Sequence, residues 1–518
     1  MLLLKISPKA KMKNHLIKDG LKYLEHPQPS HDFSLTDIFI LLFVLLFSFF
    51  SHTFRIHYPP SRVFDETHFG SFTNAYIRHR YYHDIHPPLA KLLFYLAGYL
   101  SGYDGKIDFR DKNVTSYFDK QYVSLRQASS SFSSLIGPVG FLSMRFFGFS
   151  TSASFMVAMF LSTESMIIVE GRLILTDGFL HSFATLTILS VSLYCFKPTS
   201  KLCILFMGLM AGSTFSIKYT GLSVLVFVGV NQLLHFSKSQ LKVLFDFDLS
   251  FYDRSKLTRS EEIFELFSSF CKMPFYKLFL QFLIVLAIGI SLLYSIFVIH
   301  IIILDYRSEY DVFMPQAFRN TLIPENSTDF SPRTKHMSMF KRVTTLIQVM
   351  HKSNMRITKP HSAASKWYQW PLVQMKSLVY HSHKYSLILF PTPIIWYPAA
   401  ISPIICIILA IFGYFYEHYD LTRLIIWSVG YYASLVPFAL IPRVIFVYHY
   451  LISLIFGIFA TGALIDVVFS SNKRIRACIF TLLVIAVVIQ YIFFFPWCYA
   501  MAHVDWNVRK WYKNIFGK

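Results

Sequence analysis

The sequence predicts an all-α polytopic membrane protein with about eleven transmembrane helices of ~20 residues each. Three observations carry this reading. Of the 518 residues, 54% are hydrophobic and 18% aromatic, and the mean hydropathy is +0.46, far from the mix of a soluble globular domain. Apolar runs recur near 38–54, 132–147, 151–169, 173–195, 202–217, 220–236, 279–304, 385–415, 422–440, 444–469 and 477–497. The net charge of +20 lies between those runs rather than along one amphipathic surface. That placement suits chain orientation, lipid headgroups or a phosphate, and argues against nucleic acid as a partner.

Residues 1–36 read as a basic cytosolic tail, because their apolar stretch is too short for a signal-peptide core and is followed by lysines. Ser34 and Asp37 suit a helix cap, and "IFILLFVLLFSFFSHTF" then forms a first span retained as a signal anchor. Alternation from there places "KPTSK" (197–201), 237–277 and "SSNKRIR" (470–476) in the cytosol, in agreement with the positive-inside rule. It places 56–130, the turns at Glu170, Lys218 and Arg443, the 305–384 loop and the 498–518 tail on the lumenal side. The chain divides accordingly into a transmembrane module at 37–304, the 305–384 loop and C-terminal spans at 385–497. The two Asn-x-Ser/Thr sequons, at Asn113 and Asn326, both fall in predicted lumenal loops and are glycosylation candidates.

The first lumenal loop opens with "FDETHFGSFTNAYI" and continues through "YYHDIHPPLAKLL". Asp65 and Glu66 are adjacent, so their side chains point in clearly different directions and cannot address the same atom. One can act as a base towards a hydroxyl while the other binds a neighbouring donor. A solvated doublet is the commoner fate of such a pair, but amphipathic, aromatic-rich sequence holds this one near the headgroups. Asp84 and His86 precede a helix that Pro88 opens, a place that suits either an anion site or a structural turn.

Further polar groups gather at predicted span edges: Arg126 in "YVSLRQ", Glu164, Glu170, Arg172 and Asp177 in "ESMIIVEGRLILTDGFL", Lys218 in "SIKYTGL", and Arg443 with His449 in "PRVIFVYHYL". Ionisable groups at membrane depth cost about 2.5–3.5 kcal/mol each, so they pair or line a polar cavity. Arg172 can pair structurally with a carboxylate, and Lys218 can snorkel or hold a lipid phosphate. The six cysteines have no paired spacing, which argues against a disulfide framework and against a zinc site. Carboxylates and several cations without a metal motif suit group transfer from a lipid-linked phosphate. The leaving group then needs no acid, only a base on the acceptor and cations on the departing phosphate. A transporter would show much the same inventory.

The run "FDETHFGSFTNAYI…YYHDIHPPLAKLLFYLAGYLSGYDG" closely resembles the first lumenal loop of protein O-mannosyltransferases. The likeness continues through "YVSLRQ", "EGRLILTDGFL", "GSTFSIKYTGL", "IHIIILDYRSEYDVFMPQAFRNTL", "HSAASKWYQWPL" and "PRVIFVYHYL", in the family's order. The resemblance implies a GT-C glycosyltransferase fold and transfer of mannose from dolichyl phosphate mannose to Ser/Thr hydroxyls of secretory proteins, inverting, at a lumenal site of the endoplasmic reticulum membrane. It implies Asp65 as catalytic base and Glu66 as an aid to acceptor placement. It further implies Arg126, Lys218, Arg443 and His449 around the donor, and Asp84, His86, Arg172 and Asp177 as acceptor contacts or structural support. It implies no cofactor and no metal, and a homo- or heterodimer with a paralogous chain. Another GT-C enzyme using a different polyprenyl-linked sugar, a silent partner subunit and a lipid or solute transporter are the rival readings. One departure is plain: typical eukaryotic members carry a lumenal MIR domain after the segment matching "FMPQAFRNTL", where this chain has only about forty residues before "HSAASKWYQWPL".

Overall fold

The computed structural model describes residues 33–111, 113–117, 119–197, 200–234, 275–324, 337–375, 378–382, 385–416 and 421–501. The N-terminal tail to residue 32, residues 237–274 of the expected cytosolic segment, Asn326 and the tail beyond residue 501 lie outside the described residues.

Helix α1 (Leu35–Thr53) starts where Ser34 accepts from the Asp37 backbone N–H and the Asp37 carboxylate accepts from the Ser34 backbone N–H, the reciprocal cap expected from the sequence. Next come α2 (Glu66–Ile77), α3 (Leu89–Leu100), α4 (Tyr122–Ser133) and α5 (Ile136–Phe146). Helices α6 (Thr151–Thr163) and α7 (Ser165–Gly171) meet at a 55° bend. Glu164 makes that break: its carboxylate accepts from Ile167 N at 2.7 Å, Trp396 Nε1 at 3.0 Å and Thr392 Oγ1 at 3.2 Å. A carboxylate buried in apolar sequence thus serves as an internal helix cap.

The chain continues through α8 (Asp177–Phe196), α9 (Lys201–Phe215), α10 (Tyr219–Leu234) and α11 (Phe275–Ile303), then α12 (Met339–Met355). A hairpin of β1 (Leu378–Ser382) and β2 (Tyr385–Leu389), in register Leu378↔Leu389, precedes α13 (Pro393–Tyr416), α14 (Leu421–Leu435), α15 (Leu451–Val468) and α16 (Lys473–Cys498). The apolar run at 385–415 is therefore strand first and helix second. Pro391 and Pro393 punctuate it, since the residue before a proline avoids the helical region and a proline suits a helix's first turn.

Among the described residues, six helices are long and apolar enough to cross a membrane, or seven if α6 and α7 form one broken span. The remaining expected spans fall on shorter apolar helices such as α9 and α10 and on the α4–α5 pair. Large apolar side chains of α1 and α11, including Phe39, Leu46, Phe279 and Leu280, are exposed, as a lipid-facing surface requires. The chain is a multi-pass membrane protein.

Polar contacts sort the helix ends into two groups. At one end Asp37 pairs with Arg145 at 2.9 Å and accepts from Thr151 at 2.8 Å, while Asp466 accepts from Ser150 N at 3.0 Å and pairs with Arg476 at 3.2 Å. The other end is gathered by Arg172. Its guanidinium donates to the carbonyls of Phe54 (2.6 Å), Arg55 (2.8 Å) and Cys498 (2.6 Å), so the cation serves the carbonyl termini of α1 and α16 rather than a carboxylate. Close packing brings α4 against this region: a Cβ on Gly171 would lie 2.1 Å from Ser133 Oγ, and one on Gly178 2.4 Å from Ser129 Oγ.

Candidate active site

At the end marked by Arg172, a pocket enclosing about 330 Å³, partly open to solvent, is lined by Phe64, Asp65, Phe69, His86, Glu170, Leu175, Asp177, Lys218, Arg443, Tyr448 and His449. The lining comes from the turn before α2, the loop before α3, the α7–α8 region, the loop before α10 and the α14–α15 connection. Six of the expected site residues meet there: Asp65, His86, Asp177, Lys218, Arg443 and His449.

The doublet diverges at the start of α2. Phe64 sits at φ 48°, an uncommon conformation for a bulky residue, and stacks on Tyr380 at 4.3 Å with planes 10° apart. Asp65 follows at the N-cap position and faces the pocket. Glu66, one residue on, points into the protein and is fully buried. Its Oε1 accepts from Arg126 Nε (2.8 Å) and Ile174 N (3.0 Å), and its Oε2 from Arg126 Nη2 (2.7 Å) and Val63 N (2.8 Å).

Two expectations are corrected by this brace. Arg126 is not a pocket cation: beyond Glu66 its guanidinium donates to the carbonyls of Pro59 (2.7 Å), Ser61 (3.1 Å) and Ile56 (3.3 Å), with no exposed surface left for a phosphate. Glu66 does not face an acceptor, because its oxygens are occupied by four protein donors.

The "HDIHPP" loop is braced in its turn. The buried Lys91 ammonium bonds the Asp84 carboxylate and, at 2.5 Å, the His86 carbonyl. Burial pushes the Asp84 carboxyl up, but the Lys91 charge and hydrogen bond, with the Ile85 N–H, outweigh it and hold the group below its ordinary value. The Asp84 carboxylate is therefore engaged within its own loop, and the His86 ring is left to line the pocket. Burial and the Lys218, Lys91 and Arg443 cations depress His86 to about 3, so it is a neutral donor and acceptor at working pH. Leu89 N donates to Ser216 O at 3.1 Å, which ties this loop to the segment carrying Lys218.

Lys218 bonds Asp177 at 2.6 Å and lies 5.4 Å from the Tyr448 ring centroid. Glu170 accepts from Tyr380 Oη at 2.5 Å. Arg443 donates to Asn354 at the end of α12 and, at 3.3 Å, to Val444 O. His449 Nδ1 lies 2.9 Å from Phe446 O, and its ring stacks on Tyr448 at 4.6 Å. Among the described residues Asp65 is thus the pocket carboxylate whose oxygens take no protein hydrogen bond. Burial raises its carboxyl above the ordinary Asp value; His68 and Lys218 oppose the shift and Asp177 adds to it. A carboxylate so placed is a stronger base than a solvated one.

Glu170, Tyr380 and Tyr448 complete the lining or its support without having been singled out as site residues. Glu170 carried a usable signal, a carboxylate within an apolar run. Tyr380 carried none, since its partners Phe64 and Glu170 are both remote in sequence.

Fold and pocket together define a GT-C membrane glycosyltransferase architecture. The Saccharomyces cerevisiae protein O-mannosyltransferase Pmt1-Pmt2 complex bound to the sugar donor superposes with a TM-score of 0.77, over 98% of this chain and 94% of that one, at 16% identity. The chain belongs to the dolichyl-phosphate-mannose-protein mannosyltransferase family, whose sequence profile matches residues 42–305. The profile of the C-terminal four-transmembrane region of protein O-mannosyltransferases matches residues 339–515. Among curated relatives, Candida albicans dolichyl-phosphate-mannose-protein mannosyltransferase 2 is 34% identical over 197 residues, 35% of this chain and 25% of that protein. Danio rerio protein O-mannosyl-transferase 2 is 30% identical over 304 residues, 58% of this chain and 37% of that protein. The chain thus spans between a quarter and two-fifths of the length of these relatives.

Proposed function

We propose that the protein transfers mannose from dolichyl phosphate mannose to Ser/Thr hydroxyls of secretory-pathway proteins. The observation that carries this reading is the pocket's division of labour: Asp65 is the carboxylate left without a protein donor, and Lys218 and Arg443 line the same pocket. Asp65 takes the proton of the acceptor hydroxyl as its oxygen attacks the anomeric carbon. The bond from that carbon to the phosphate oxygen breaks with its electron pair remaining on dolichyl phosphate, and Lys218 and Arg443 stabilise the charge that develops there. Attack opposite the leaving phosphate inverts the configuration. His86 and His449 complete the polar wall around the sugar, while Arg172 and Asp84 hold the elements in place.

On this reading the pocket opens to the lumen of the endoplasmic reticulum, the N-terminus is cytosolic and the C-terminus lumenal. The chain crosses eleven times, counting α4–α5 and α6–α7 as broken spans, and works as a dimer with itself or a paralogous chain. Microsomes containing the protein, given dolichyl phosphate mannose and a Ser/Thr peptide, should form a mannosyl peptide whose anomeric configuration is the opposite of the donor's. Product from a different polyprenyl-phosphate sugar in place of mannose, or lipid flux without glycosyl product, would replace this reading with one of its rivals.

A further inference from the structure

From Phe330 to Tyr416 the chain contains no Asp or Glu but ten Lys and Arg residues. Four of these cations, Lys352, Arg356, Lys359 and Lys366, are exposed and lie on one strip running from the last turn of α12 into the following loop. Backbone and side-chain bonds seat that strip along the Arg443 segment. Asn354 accepts from the Arg443 guanidinium, Val444 N donates to Ile357 O at 3.0 Å, and Ser365 N donates to Ile445 O at 3.1 Å. Since Arg443 also lines the pocket, the exposed cations flank the pocket beside its Arg443 wall.

We infer that the 352–366 strip is a docking surface for acidic polypeptide, so that acceptor hydroxyls flanked by Asp or Glu are favoured. The inference rests on the mannosyl-transfer reading of the pocket and names the acceptor class that reading leaves open. Charge complementarity selects the partner: a basic surface whose four cations have no ion-pair partner among the described residues attracts anionic chains and disfavours basic ones. A lipid bilayer is the poorer match, because an interfacial segment needs bulky apolar side chains interleaved with its cations. Across 352–366 the exposed residues besides the cations are mostly Thr358, Pro360, His361, Ser362 and Ala364, with Met355 and Ile357, each 37% exposed, as the large apolar groups.

The test uses the full chain in phosphatidylcholine nanodiscs, dolichyl phosphate mannose as donor, and three peptides sharing one Ser/Thr core flanked by Asp, Gln or Lys. At low salt the Asp-flanked peptide should show a KM about 5–20-fold below that of the Gln-flanked one, the scale that a few exposed ion pairs supply, and the Lys-flanked peptide the highest KM. The advantage should shrink towards unity at about 0.5 M salt. It should also vanish in the Lys352→Gln/Arg356→Gln/Lys359→Gln/Lys366→Gln variant, with turnover of the Gln-flanked peptide retained. Equal KM values for the three peptides with the wild type would overturn the inference and leave mannosyl transfer standing, a result that does not depend on how the variant folds. Equal peptide use combined with a rate that depends on phosphatidylserine, and loses that dependence in the variant, would overturn it in favour of a membrane contact. Absence of product from all three peptides would instead count against the transfer reading itself.

Discussion

Replacing Arg126 with Met should cost stability rather than donor affinity. The guanidinium makes two bonds to Glu66, at 2.7 and 2.8 Å, and three to backbone carbonyls of the 56–61 segment. Met keeps the length and apolar volume but leaves the buried Glu66 carboxylate with only the N–H groups of Val63 and Ile174. Breaking one side of such a buried pair costs about 3–5 kcal/mol, because a charge remains without its counter-charge. Removing both charges, as Arg126→Met with Glu66→Leu, should cost less than the sum of the single changes, since neither charge is then stranded. The assay is thermal unfolding of the detergent-solubilised protein, followed by loss of the monodisperse chromatographic peak, alongside donor titration in microsomes. A variant as stable as wild type but with weakened donor dependence would put Arg126 back at the phosphate and refute the assignment of a structural brace.

Lys218→Ala and Arg443→Ala should each weaken donor use by about 1.5–3 kcal/mol, the scale of a charge-assisted hydrogen bond, with a smaller change in peptide dependence. Separate titration of donor and peptide distinguishes the two, and a shift confined to the peptide would move the phosphate elsewhere. The raised Asp65 carboxyl fixes the sign of the pH response. Acidification protonates the base and the rate falls, starting at a pH above the ordinary Asp value, with a plateau on the alkaline side. The linked stability runs the other way, since the folded state binds the proton more readily and loses stability as pH rises through the shifted value. A pH profile whose acid limb sits at the ordinary Asp value would contradict the environment described for Asp65. Asn113 is exposed, so Asn113→Gln should remove one glycan from the protein made in a eukaryotic cell, read as a gel-mobility shift. Cleavage within 305–384 by a protease added outside sealed microsomes would invert the proposed orientation.

Much of the fold is local in origin, which is why the sequence displays it. Ser34 and Asp37 cap α1 from three residues apart, and the divergence of Asp65 from Glu66 follows from adjacency alone. The site is assembled from five segments, yet six of its polar residues are visible because charge beside an apolar run is costly and therefore conspicuous. What stays hidden is the pairing. Arg126 at a span edge looks the same whether it binds a phosphate or a carboxylate, and its partner Glu66 lies sixty positions away. Lys91 reads as part of a helix first turn, and only the folded loop shows it closing onto Asp84. The bend at Glu164 depends on Thr392 and Trp396, more than two hundred residues downstream, so a single span and a broken one look alike beforehand.

Asp65→Asn tests the central claim most directly. Asn keeps the size and, in the absence of a protein donor to the carboxylate, strands no partner, so folding and membrane insertion should be unaffected. With dolichyl phosphate mannose and a Ser/Thr peptide, turnover should fall by ~10²–10⁴ through loss of the base, and the donor KM should change little. Near-normal product formation by a correctly inserted Asp65→Asn protein would contradict the account.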